Sequence, residues 1–341
     1  MNLYTENVKK CVIVSANDRY VPYLSVLITS MKMNMSAGTK VEIIVLYDEI
    51  SDERQVKLLE IVENTTMSIR FLNVHEKLSG HNLFVSGTGN RSYLTKEAYF
   101  RLLAPQLLPE YDKALYLDCD IVVCDGWEEI YEVKLADKLL AGIPDLWGNW
   151  ECFDKQSELY RYRQQELKLN NPLEYFNSGV MLLNLKAMRE TFQEGELIEL
   201  AASRNWQKHD QDVLNYISKD NNLFLDYTWN LIECPSKKAW NSVPGEQQEE
   251  YEKCCMTPKI VHYASRKPWI VKGVAREQEF WKAAVNSTFF DELMNEFIEE
   301  QLSQGKNFEE RVYASIRSRK IGVKFIVRCC LAYVKRVIGK A

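Results

Sequence analysis

The chain has 341 residues, 46% of them hydrophobic, and a formal net charge of −5. From Arg311 onward there are nine Lys or Arg and no Asp or Glu, which leaves −14 on residues 1–310, and so acidic a body excludes a general nucleic-acid binder. No run reaches the 18 or so apolar residues of a membrane span, MNLYTENVKKCVIV lacks the apolar core of a secretory signal, and nine cysteines with no CxxC spacing predict a reducing, cytoplasmic setting.

The first predicted strand is CVIVSA, residues 11–16, followed by NDRY and a helix over 22–35 whose Pro22 suits a first turn. VEIIVLYD (41–48) predicts a second strand, SDERQVKLLEIVENT a helix with Ser51 as its cap, and SIRFLNV (68–74) a third strand. This βαβαβ rhythm predicts an α/β fold, a mostly parallel central sheet flanked by helices. LTKEAYFRLLAPQLLP (94–109) reads as a helix ending near its prolines, and it delivers the chain to ALYLDCDIVV (114–123), whose apolar run predicts a central strand. LLAGIPDLW returns as a strand, residues 151–171 as a surface helix or lid, and EYFNSGVMLLNL (174–185) as another strand. Residues 189–204 read as one helix, WQKHDQDVLNYI as a second beginning near His209, and 223–258 have little periodicity. KIVHYASRKPW (259–269) predicts a short strand with a polar exit, and 277–304 are helical, which divides the chain into a domain over 1–280 and a C-terminal helical region over 281–341.

Asp118 and Asp120 interrupt the apolar run of ALYLDCDIVV. On an ideal strand they share one face and Cys119 takes the other. Two like charges on a buried face cost several kcal/mol, so one carboxylate is protonated, a cation neutralises both, or the strand has ended and the pair lies at its mouth. A cation explains the pair best, and hard oxygen ligands favour Mg²⁺ or Mn²⁺ with phosphate in its shell. The C-terminal edge of a central strand is where open α/β sheets bind ligands. Polar strand ends recur at NDRY, YFNSG, HDQD and HYASRKPW, where His262 supplies a candidate third metal ligand and Lys267 a phosphate contact. Tyr20 offers a stacking face for a base.

Taken together, SANDRYVPYLSVLITS, TKEAYFRLLAPQLLPEYDKALYLDCDIVV, EYFNSGVMLLNLKAMR, HDQDVLN and HYASRKPW resemble the retaining glycosyltransferases of family 8. That group includes bacterial lipooligosaccharide galactosyltransferases and glycogenin-like glucosyltransferases. The resemblance implies a GT-A fold, Rossmann-like, and transfer of glucose or galactose from a UDP-hexose to a glycan or lipid-linked hydroxyl, with Mn²⁺ or Mg²⁺ bound. It places the ion on Asp118, Asp120 and His262, the diphosphate near Lys267, and Arg101 toward phosphate or donor sugar. Asn17 and Tyr20, with Asp18 beside them, match the uracil-binding end. Asn177, Asp210 and Gln211 match residues around the donor sugar, and Asp145 matches a carboxylate on the acceptor or donor-hydroxyl side. The sequence departs from the family pattern in having Asn17 where the uridine-proximal Asp is usual, and Ser265 and Arg266 in a turn that usually holds glycine. Because a neutral amide is a poor nucleophile, Gln211 points to same-face attack rather than a covalent intermediate.

The tail SIRSRKIGVKFIVRCCLAYVKRVIGKA sets Arg317, Lys320, Lys324, Arg328 and Lys335 on one helical face beside an apolar one. Such a helix either lies in an anionic membrane surface through residues 311–341, making the protein peripheral on the inner face of the cell membrane, or packs on the acidic body. Two other functions compete with hexosyl transfer. One is a catalytically weak nucleotide-sugar-binding protein of the same fold; the other is a metal-dependent phosphoryl-transfer enzyme, disfavoured because DCDIVVCD continues as a strand.

Overall fold

A strand that is apolar at every position must be covered on both sides, and the two earliest strands set the pattern. In the computed structural model, which describes residues 9–84 and 96–302, β1 (Lys10–Ala16) pairs in parallel with β2 (Val41–Tyr47), and β2 with β3 (Met67–Asn73). Val12, Ile13, Val14 and residues 43–46 are wholly inaccessible, each large side chain contributing roughly 1.5–3 kcal/mol by burial. β4 (Ala114–Leu117) joins the other side of β1, also in parallel. Next come β5 (Ile121–Val123), β6 (Leu140–Pro144), β7 (Phe176–Leu183), β8 (Asn222–Phe224), β9 (Leu231–Ile232) and β10 (Ile260–His262).

The seven-stranded sheet has the order β3-β2-β1-β4-β7-β6-β8, and a second sheet has the order β5-β10-β9. β7 runs antiparallel to both β4 and β6. From β1 the chain moves outward to β2 and β3, then returns to place β4 on β1's opposite side. The crevice at the ends of β1 and β4 is therefore the switch point where open α/β sheets collect ligands. β7 also bulges: Gly142 of β6 faces Met181, but the next residue, Ile143, faces Asn177. Such a bulge re-aims the side chains beside it, and here it lies within FNSG.

By its internal contacts the described chain divides into two compact units, residues 9–268 with 273–290, and residues 269–272 with 291–302. All site residues discussed below belong to the first unit. Its seven described cysteines are free thiols. Among the described residues no helix is long and apolar enough to cross a membrane. The basic face predicted over 311–341 lies outside the described residues.

Several expectations are corrected. ALYLDCDIVV is not one strand. Its first four residues end in the large sheet, 118–120 turn, and Ile121–Val123 pair antiparallel with β10 in the small one. The single helix expected over 94–109 is a 3₁₀ helix, Lys96–Leu103, followed by the short α-helix Ala104–Leu107, whose first turn holds Pro105. The helix expected over 189–204 is two helices, Leu185–Thr191 and Glu196–Ala202, divided at Gly195 with φ +85°. Ser51 precedes Asp52–Val62 without capping it through its side chain; its hydroxyl instead donates to Asp18. The segment 223–258, without clear periodicity in sequence, contains β9 and the helices Lys237–Ser242 and Gly245–Met256. Helix Glu277–Ala284 stops well short of residue 304, and helical structure resumes at residue 290.

Candidate active site

The cleft at the switch point has a volume of about 240 Å³ and is lined by Asn17, Tyr20, Arg101, Asp118, Asp120, Asn177, Asp210, Gln211, His262 and Lys267 among others. Sequence positions separated by as many as 250 residues converge because most sit at a strand end or in the first turn of a helix, with Arg101 in the last turn of its 3₁₀ helix and Lys267 in the loop after β10. Asn17 follows β1, and its Oδ1 accepts from Tyr20 N–H at 3.1 Å, starting the 3₁₀ turn that presents Tyr20 to the cleft. Asp18 points elsewhere: it accepts from the backbone and hydroxyl of Ser51 and pairs with Arg54. Burial opposes its ionisation, but those partners outweigh it and hold Asp18 below the usual carboxylate range.

Asp118 follows β4, its N–H donating to the Gly179 carbonyl at 2.8 Å. The turn through Cys119 then carries Asp120 to the small sheet, where the Asp120 carbonyl accepts from Tyr263 N–H at 2.9 Å. His262 ends β10 and lies between the two carboxylates, its Nε2 3.1 Å from Asp120 Oδ1 and 3.9 Å from Asp118 Oδ2. One ligand atom from each of Asp118, Asp120 and His262 falls within 4.8 Å of the others. Two carboxylate oxygens and an imidazole nitrogen at that separation are a donor set able to coordinate a divalent metal ion, so these residues fit the expected group.

The charges around this set are fixed by the fold. Lys267, 3% exposed, donates to Asp120 and, at 2.5 Å, to the Tyr263 carbonyl. Burial disfavours the Asp120 anion, yet Lys267 and His262 reverse this and hold the carboxyl far below its ordinary range. Arg101 donates to Asp118 Oδ1 at 2.8 Å and to the Ser178 carbonyl at 2.6 Å, and its Nε is 3.2 Å from Asp210 Oδ2. Its guanidinium also stacks over Tyr116. The helix that carries Arg101 is held by buried Tyr99, Phe100 and Leu102, with Tyr99 Oη 3.1 Å from His209 Nδ1. Asp210 is the exception among the acids: burial pushes it up to about 6, Arg101 pulls against this, and Asp118 adds to it.

Two residues decisive for this geometry are not identified from sequence. Gly179, the last residue of FNSG, lies against the candidate metal ligands: a Cβ there would come 2.3 Å from His262 Cε1 and 2.8 Å from Asp118 Oδ2. Asn230, in the segment without periodicity, orients His262. The order of donors follows from two backbone anchors. Ser178 N–H donates to Gln211 Oε1 at 3.0 Å and Gly179 N–H donates to Asn177 Oδ1 at 3.0 Å. Asn177 Nδ2 then donates to Gln211 Oε1, Asn230 Nδ2 donates to Asn177 Oδ1, and Asn230 Oδ1 is left to accept from His262 Nδ1 at 2.9 Å. With its proton on Nδ1, His262 offers the Nε2 lone pair to the carboxylate side, as a metal ligand must. The chain of amides ends where Gln211 Nε2 donates to Asp145 Oδ2 at 3.1 Å. Asp145 thus reaches the site through Gln211, and its other oxygen caps the Leu146–Asn149 turn by accepting from Gly148 N–H.

Comparison with known proteins adds to this picture. The sequence profile described as Glycosyl transferase family 8 matches residues 11–272. General stress protein A of Bacillus subtilis is 24% identical over 265 residues, 76% of this chain and 86% of that one. The lipopolysaccharide 1,2-glucosyltransferase of Escherichia coli K12 is 26% identical over 290 residues, 83% of this chain and 80% of that one. Among solved structures, the WbbM bifunctional glycosyltransferase is similar at 25% identity and a TM-score of 0.75 across 87% of this chain, which spans 53% of that chain.

Proposed function

The chain belongs to glycosyl transferase family 8, and from that membership we propose that it transfers glucose or galactose from a UDP-hexose to a hydroxyl of a glycan or glycolipid, with retention at the anomeric carbon. The observation that carries this reading is the convergence of Asp118, Asp120 and His262 at the switch point, with Lys267 and Arg101 beside them. A divalent ion bound by Asp118, Asp120 and His262 supplies electrostatic stabilisation to a departing diphosphate.

The protein's own groups do the rest. Lys267, fixed against Asp120, holds positive charge where the β-phosphate gains negative charge. Arg101 ties Asp118 to Asp210, so ligand set and hexose side keep one geometry. Asn17 and Tyr20 receive the uracil; the side chain of Asp18 supports that loop through Ser51 and Arg54. Asn177, Asp210 and Gln211 orient the hexose, and Asp145 holds the Gln211 amide.

Same-face substitution is favoured because the Gln211 oxygen already accepts from Ser178 N–H and Asn177 Nδ2, which leaves a neutral amide with its lone pairs engaged and little nucleophilic character. In this reaction the C1–O bond to the β-phosphate breaks with its electron pair going to UDP. The acceptor oxygen then bonds to C1 from the same face, and the acceptor's proton passes to the departing phosphate. Similarity to a lipopolysaccharide glucosyltransferase supports a cell-envelope acceptor, and a basic tail resting on anionic lipid would bring the enzyme to it. The test is UDP release with Mn²⁺ from UDP-glucose, UDP-galactose and the UDP-N-acetylhexosamines. One of the first two as the best donor is expected; release from none of them counts against the reading.

A further inference from the structure

The cleft wall contains a carboxylate that the site described so far does not use. Glu97 lies in the 3₁₀ helix Lys96–Leu103, four residues before Arg101, and lines the cleft with Ala98 and Arg101. It is 8% exposed, and its buried Oε2 has no hydrogen-bond partner among the described residues. The cations of its own helix are engaged elsewhere: Lys96 with Asp48, and Arg101 with Asp118 and Asp210. A buried acceptor left unmet destabilises the protein that contains it, so its position in a ligand cleft calls for a donor brought by the ligand.

The chemistry restricts what that donor is. A carboxylate is acceptor-only and repels phosphate, whereas it takes one or two hydrogen bonds from neutral hydroxyls. Its helix brings both Glu97 and Arg101 to this one cleft, and Arg101 reaches Asp210 and the Ser178 carbonyl, which border the hexose side. We propose that Glu97 is a specificity-determining residue that accepts a hydrogen bond from a ring hydroxyl of the donor hexose. This rests on the UDP-hexose reading above and extends it to a residue with which the sugar is read.

Binding and hydrolysis test it, with water as the acceptor so that no acceptor need be known. Wild type should bind UDP-glucose or UDP-galactose with Mn²⁺ more tightly than UDP with Mn²⁺. Glu97→Gln and Glu97→Ala should lower kcat/KM for UDP-hexose hydrolysis by about 10- to 100-fold, the effect of losing a hydrogen bond to a charged acceptor. Both variants should bind UDP and Mn²⁺ as wild type does, and Glu97→Ala should melt no lower, since a buried acceptor without a partner has been removed. One deoxyhexose analogue should cost wild type the same factor and cost Glu97→Ala nothing further. Unchanged hydrolysis in both variants overturns the proposal, as does an equal loss of affinity for UDP alone, which would assign Glu97 to the ribose. Wild-type protein that binds no UDP would instead defeat the UDP-hexose reading, so the two failures are distinguishable.

Discussion

Replacing Gly179 by Ala tests whether the His262 geometry is set by backbone packing. The added Cβ would come 2.3 Å from His262 Cε1, 2.9 Å from its Nδ1 and 2.8 Å from Asp118 Oδ2. Carbon atoms settle at about 3.5–4.0 Å, so the imidazole must retreat by about 1 Å or the strand must move. The strand has little room to move, since β7 pairs with both β4 and β6 and the Gly179 carbonyl accepts from Asp118 N–H at 2.8 Å. Metal–ligand distances tolerate only about 0.2 Å, and a misplacement of about 1 Å costs roughly 100-fold in rate. Gly179→Ala should therefore weaken Mn²⁺ binding, followed by titration calorimetry, and slow hexosyl transfer by about two orders of magnitude. Overpacking should cost about 1–3 kcal/mol of stability, so a thermal melt should still show a folded protein. Mn²⁺ affinity and turnover within about two-fold of wild type would refute the packing argument.

Three further outcomes follow from the same geometry. Asn230→Leu removes the acceptor for His262 Nδ1–H and should reduce metal affinity by about 10- to 100-fold, while Asn230→Asp, which keeps an acceptor there, should lose less; Mn²⁺ titrations of the two variants compare them. Asp210, raised to about 6 by burial, holds its proton more tightly folded than unfolded, so its favourable contribution is present below about pH 4 and lost as the pH rises through 6. Chemical denaturation across pH 4–7 should show wild type losing about 2 kcal/mol relative to Asp210→Asn over that window, and parallel curves would contradict the assignment. Protein stopped after Gly305 should sediment less with anionic vesicles than the full chain if the basic tail binds lipid, and equal sedimentation would favour a tail packed on the acidic body.

Much of the fold is legible because its cause is local. Buried sheets need strands apolar on both faces, and β1, β2 and β4 announce themselves by that pattern alone. Strand direction is less legible, since FNSGVMLL has the same apolar signature whether it lies parallel or, as here, antiparallel to β4. The carboxylate pair is readable as a problem of buried charge, but the same-face rule assumes a continuous strand. Asp118 and Asp120 meet at His262 because the chain turns between two sheets there, which corresponds to a pair lying at a strand mouth. Gly179 leaves no signal beyond being a glycine, because what it avoids is a histidine 83 residues away. Asn230 sits between the 3₁₀ turn Tyr227–Trp229 and β9, both too short to show a period, and its role exists only through Asn177 and His262.

The central claim is that Asp118, Asp120 and His262 form one divalent-ion site on which hexosyl transfer depends. Its most direct test is UDP release from UDP-glucose and UDP-galactose by wild type and Asp120→Asn, each with Mn²⁺ and with EDTA. The amide keeps the size of the side chain and a hydrogen-bond acceptor for Lys267, so the variant should remain folded by circular dichroism. Wild type should release UDP only with Mn²⁺, and folded Asp120→Asn should release it at least about 100-fold more slowly, in keeping with loss of a charged metal ligand. Release that survives EDTA, or a variant as active as wild type, would contradict the account.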